Sequence, residues 1–149
     1  EAATDKSPLP GAVGWPSDDN HERVARQVSD VAKLPAGTAR MLADTYGMRA
    51  IDIARLVRAS PELGEPLVPG RPEILAQVDW AVNEELAATV SDVLIRRTQL
   101  YYRDPQQGLT ATSAVSARMA TLLGWSDDAR AISVADYARE VARSRAWRE

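Results

Sequence analysis

The residues whose types and spacing could do chemistry lie in one stretch. Trp80, Glu85, Asp92, Arg96, Arg97 and Thr98 all fall within the run Ala76 to Thr98. Asp92 and Arg96 are four apart, so on a helix they share a face and form a salt bridge. If exposed, such a pair contributes only ~0.3–0.5 kcal/mol. Partly buried, it would fix the packing of the helices that carry it. Glu85 has no cation within a helical turn, so it reaches Arg96 or Arg97 only through a helix–helix contact. A functional alternative is that Arg96 and Arg97 receive an anionic phosphate, which guanidinium groups bind in bidentate fashion. Adjacent arginines point to different sides of a helix, so at most one of them would face a ligand. Paired polar residues within helical packing commonly serve specificity, which favours the structural role.

The remaining candidates are weaker. Glu84–Glu85 and Asp18–Asp19 are adjacent carboxylates that splay about 100° apart on a helix, so neither is a shared acid–base pair. His21 is the one histidine; it sits in a capping region with no orienting partner visible in the sequence, which suits a solvated or capping role. There are no cysteines, so disulfides, thiolate metal sites and a cysteine nucleophile are excluded. Gly11-Ala12-Val13-Gly14 lacks the spacing of a dinucleotide-binding loop and has no strand before it. No catalytic, cofactor-binding or metal-binding residue is expected in this chain. Trp15, Trp80, Trp125 and Trp147 are its large apolar anchors, with Trp15 free to dock on a neighbour, and Tyr101–Tyr102 is either an interface patch or a helix-end contact.

The elements that position these residues read as helices throughout. The chain has 149 residues, 45% hydrophobic and 26% charged, which suits one domain with a real core. A formal net charge of -3 argues against general polyanion binding. No apolar run is long enough to span a membrane, no signal peptide is visible, and the absence of an initiator Met suggests either a processed chain or, more readily, a piece cut from a longer protein. Prolines and glycines make residues 1–17 a linker or extended arm, leaving 18–149 as the helical domain. Ser17 to Asn20 caps a helix through Val24, Val28, Val31 and Leu34, ended by Pro35. Thr38 to Tyr46 forms a second helix with Gly47 as its stop, and Ile51 to Val57 marks a third, closed by Ser60-Pro61. Residues 61–72 form a long loop.

The run from Glu73 is expected to be two helices, broken or kinked between Asn83 and Ala88 where the apolar stripe slips in phase, with a single long helix as the alternative. Thr110 or Thr112 should cap a helix that buries Val115, Met119, Leu122 and Leu123 and stops at Gly124. Ser126 should cap a last helix, Asp127 to about Arg145, burying Ala131, Val134, Tyr137, Ala138 and Val141. The reading is all-α: a single domain of about six helices with an extended N-terminal arm.

Several motifs together resemble the helical C-terminal domain of FAD-dependent glycerol-3-phosphate dehydrogenases and alpha-glycerophosphate oxidases. Pro8-Leu9-Pro10-Gly11 is similar to the family's connector, Tyr46-Gly47 to its Tyr-Gly pair, and Leu123-Gly124-Trp125 to the end of a later helix. Trp80, Glu85, Asp92, Arg96, Arg97 and Thr98 match its central motif at the right spacing. One departure is Gln77, where the family pattern has an acid. The resemblance implies a parent that oxidises sn-glycerol 3-phosphate to dihydroxyacetone phosphate, with FAD taking the hydride and quinone the electrons. It implies that FAD lies in an upstream domain of the same polypeptide, that this fragment packs on that domain without being catalytic itself, and that the parent is peripherally membrane-associated and cytoplasmic, with homo-oligomerisation left open.

Two other classes compete. Leu42 to Val57 has a helix–Gly turn–helix look, as in DNA-binding modules, with Arg49, Arg55 and Arg58 on the second helix. The acidic balance of the domain argues against nucleic acid. A free-standing helical interaction module is the third reading.

Overall fold

A computed structural model describes residues 7–146; Trp147 lies outside them. The chain is built of helices, with no strand among the described residues, and divides into two compact units, Glu1–Gly64 and Glu65–Glu149.

The first unit is three helices preceded by the arm. Helix α1 (His21–Ala32) begins where the Asn20 side chain accepts the Arg23 amide proton, a standard N-cap. It ends at Ala32, short of Pro35, because Lys33 turns left-handed (φ 55°) and donates its N–H to the Ser29 carbonyl. Pro35 instead opens α2 (Ala36–Tyr46), where its missing amide costs nothing. Gly47, at φ 58°, ends α2, and a short 3-10 turn leads into α3 (Ala50–Ala59), which stops at Ser60. Helix α1 packs on both α2 and α3. Val24, Val28, Leu42, Ile53 and Val57 fill the interior, and the buried alanines 25, 39, 43, 50 and 54 let the helices close on one another.

The arm belongs to this unit. Pro10–Ala12 forms one 3-10 turn, and Trp15 packs against Val24, Ala25 and Ala43 while its indole N–H donates to Asp19 at 2.7 Å. The neighbour that Trp15 docks on is therefore its own helical unit.

The second unit opens with a loop that folds back on itself. Leu67 donates to the Glu73 carbonyl and Leu75 to that of Glu65, around a turn at Gly70 (φ 79°). Helix α4 (Ala76–Glu85) starts three residues later than Glu73 and is buried without interruption from Ala76 to Val82. The break expected after Asn83 is present: Leu86 takes φ 57° and α4 ends. The next helix is wound as a π-helix over Asp92–Arg97. A π-turn holds one residue more than an α-turn, which keeps Val90, Val93 and Leu94 inward from a register shifted against α4. A single turn, α5 (Leu100–Arg103), precedes α6 (Thr112–Leu123) and α7 (Asp127–Arg145).

Three expectations need correction. Neither Thr110 nor Thr112 caps α6; Ala111 occupies that position, and the Thr112 hydroxyl donates backwards to the Leu109 carbonyl. Leu123 is exposed at the end of α6. Ala131 and Ala138 are also exposed, because α7 buries a narrow stripe, Tyr137 and Val141 with Val134 half-buried, and both alanines fall past its edge. Ser126 does cap α7, accepting from the Ala129 amide, and Gly124 (φ 68°) closes α6 as expected.

Candidate functional site

The signature residues build a corner between α4 and the π-helix. At the end of α4 the backbone N–H groups of Leu86 and Ala87 both reach back to the Ala81 carbonyl. The Arg97 guanidinium comes across from the π-helix. Its Nη2 donates to the Glu85 carbonyl at 2.8 Å and its Nε stands 2.9 Å from the Glu85 carboxylate. The second contact is a charge contact without hydrogen-bond alignment, so the carbonyl carries the directional bond. An arginine on the last carbonyls of a helix satisfies orphan acceptors and complements the negative end of its dipole. Glu85 thus reaches Arg97 through the helix–helix contact that its position requires.

On the far side of the corner, Thr89 and Asp92 form a reciprocal capping box. The Thr89 hydroxyl accepts the Asp92 amide proton at 3.1 Å, and Asp92 Oδ2 accepts from the Thr89 amide at 3.0 Å. The same oxygen also accepts from the Ala88 amide and the Thr89 hydroxyl, and Asp92 Oδ1 takes Arg96 Nη1 at 2.8 Å. Burial pushes the Asp92 carboxyl up, but the Ala88 and Thr89 hydrogen bonds and the Arg96 charge together hold it below the ordinary aspartate value. Asp92 therefore serves first as a helix cap and second as an ion-pair partner. The Thr-x-x-Asp spacing carries that signal in the sequence.

Thr98 closes the π-helix: its amide and its hydroxyl both donate to the Val93 carbonyl at 2.9 Å. Trp80 is buried on α4. Gln77 is fully buried, and its Oε1 accepts the Ile74 amide proton at 2.9 Å. That is the reach-back a glutamate makes in a capping box, done by a neutral amide that costs less to bury.

Two buried carboxylates in this unit escaped the sequence reading. Asp79, on α4, is gripped in bidentate fashion by Arg118 of α6 at 2.7 and 2.6 Å, with the carboxylate 8% exposed. Glu73 is 1% exposed, with Arg71 Nε at 3.5 Å and Arg103 Nη1 at 3.9 Å. Partners separated by 39 positions, as Asp79 and Arg118 are, leave no periodic trace in one sequence.

In the first unit His21 does have a partner. Its Nδ1 lies 2.8 Å from Asp44 Oδ1, and Arg40 clasps the same carboxylate while also pairing with Glu22. Burial raises the Asp44 carboxyl, and the bonds from Arg40 and His21 outweigh it and bring it below its ordinary value. On α3, Asp52 pairs with Arg55 at 2.6 Å and with Arg49 at 3.2 Å, so two of the three arginines on the candidate recognition helix face a carboxylate. Tyr101 and Tyr102 meet edge to face at 4.9 Å, with Tyr102 exposed.

The polar side chains of the signature are thus spent on backbone groups and on one another. The chain is similar to known proteins over most of its length. Residues 2–130 match the family model described as the C-terminal domain of alpha-glycerophosphate oxidase. The chain belongs to this family. A glycerol-3-phosphate dehydrogenase of Synechocystis is 34% identical over 121 residues, 81% of this chain and 21% of that protein. Glycerol-3-phosphate dehydrogenase 2 of Mycobacterium tuberculosis is 28% identical over 139 residues, 93% of this chain and 22% of its own length. The mitochondrial glycerol-3-phosphate dehydrogenase of Rattus norvegicus is 33% identical over 98 residues, 63% of this chain and 13% of its own. The chain therefore spans about a fifth or less of the curated relatives it resembles. No solved structure matches.

Proposed function

We propose that this chain is the C-terminal accessory domain of an FAD-dependent glycerol-3-phosphate dehydrogenase whose parent oxidises sn-glycerol 3-phosphate to dihydroxyacetone phosphate and passes the electrons to quinone. The match of residues 2–130 to a C-terminal domain, alongside relatives named as glycerol-3-phosphate dehydrogenases, carries this reading. The described residues contain no strand, and Gly11 lies in a 3-10 turn, Pro10–Ala12, unlike the strand–loop–helix of a dinucleotide-binding unit, which supports a flavin site elsewhere in the parent. Flavin and hydride transfer belong to the preceding part of the polypeptide, and the role of this chain is to pack on that part and buttress it.

The parent is read as cytoplasmic and peripherally bound to the membrane; none of the helices described here is long and apolar enough to cross one. The test is to purify the full-length protein, record its flavin absorbance and add sn-glycerol 3-phosphate without oxygen. Bleaching of the flavin, followed by reoxidation with a soluble quinone faster than with oxygen, is the expected result. A protein without flavin, or one that the substrate does not reduce, overturns the reading. Preference for oxygen as acceptor would make the parent an oxidase instead.

A further inference from the structure

The arm is held on its inner side and bare on its outer one. Gly11 is pressed against the Tyr46–Gly47 backbone: a Cβ on Gly11 would stand 2.8 Å from the Tyr46 carbonyl oxygen, and one on Gly47 would stand 2.3 Å from that of Gly11. Trp15 pins the other end among Val24, Ala25 and Ala43. Between and beside these anchors, Leu9 is 76% and Val13 59% exposed, two large apolar side chains flanking the inward glycine. A segment that merely tethered two bodies would gain nothing from being fixed at two points, and solvent-facing Leu and Val beside a rigid turn are poor linker residues. We propose that Leu9 and Val13 form a seam against which the preceding domain of the full-length protein packs, the arm acting as a two-sided splice.

This rests on the reading above. Its occupant follows from chain continuity: the matched family model is a C-terminal domain and the Synechocystis relative, of which 121 residues are 21%, is about four times as long as this chain, so the extra length precedes this arm and stays beside it. The Gly11–Gly47 contact then sets where the preceding domain meets the helices, because a backbone-to-backbone contact fixes the arm's register more tightly than side chains could.

The test uses the full-length protein with Leu9→Cys or Val13→Cys, each thiol located by mass spectrometry after labelling for fixed times. A covered seam gives labelling at least about tenfold slower than the same thiol in denaturant, with the protection lost together with global structure. Hydroxyl-radical footprinting of the unaltered protein at Leu9 and Val13 gives the same answer without substitution. Fast labelling at both positions in a protein that still carries flavin overturns the seam and leaves the functional reading standing. Absence of flavin strikes the functional reading itself. Protection that grows with protein concentration assigns the seam to a second copy and overturns the proposal.

Discussion

Gly11 and Gly47 meet backbone to backbone, so that neither position has room for a Cβ. They come from two motifs far apart in the chain, the Pro8-Leu9-Pro10-Gly11 connector and the Tyr46-Gly47 pair. The contact explains why both motifs are short and glycine-ended: each glycine is the space the other needs. At Gly47 there is a second reason, since φ 58° with ψ -137° is a conformation side chains resist.

Gly47→Ala is therefore expected to destabilise by about 1–3 kcal/mol from backbone strain, with further loss as the arm is displaced. Gly37→Ala is the contrast. That glycine sits in the first turn of α2 with nothing within 4 Å of its Cβ position, so alanine should stabilise by about 0.4–1 kcal/mol. Chemical denaturation of the two variants against the parent sequence checks both signs.

Asp79→Ala should be among the most damaging substitutions in the second unit. It leaves Arg118 facing a buried site without its carboxylate, a loss of about 3 kcal/mol, at the low end for buried pairs because Arg118 is 29% exposed. Asp79→Ala combined with Arg118→Met should recover part of that loss. A double variant as unstable as the sum of the two singles would contradict a coupled pair.

Asp92 links stability to pH. Its folded-state pKa lies below the ordinary aspartate value of 3.8, so its contribution is complete above that value and is lost as pH falls through the depressed one. The unfolded chain binds more protons in that window, so stability rises with pH there. Asp92→Asn should be less stable at neutral pH and should lose stability less steeply than the parent sequence as pH falls below the ordinary aspartate range. Parallel acid titrations followed by circular dichroism would show it.

Much of this architecture is legible in the sequence for local reasons. The α4 break shows as a phase slip, Ser126 and Asn20 read as caps, and Gly124 reads as a stop, because each acts within a turn of itself. What the sequence hid is tertiary or depends on backbone winding. The slip alone does not reveal that the second helix is π-wound. Thr89-x-x-Asp92 was legible as a capping box, but the i,i+4 spacing of Asp92 and Arg96 drew attention to the weaker of the carboxylate's two roles. Asp44 beside His21, Arg118 on Asp79 and Arg103 near Glu73 bring together residues far apart in the chain and leave no spacing to read. Ala131 and Ala138 share the helical spacing of Val134, Tyr137 and Val141, yet they are exposed because α7 buries only a narrow stripe.

The central claim is that the signature residues build the fold and do not hold substrate. Arg97→Gln in the full-length enzyme tests it most directly, with thermal stability and the KM for sn-glycerol 3-phosphate measured on the same preparation. Loss of the bond to the Glu85 carbonyl should cost about 1–2 kcal/mol of stability, and KM should stay within about twofold. Unchanged stability with a KM raised about tenfold or more would place Arg97 on the substrate phosphate and contradict the account.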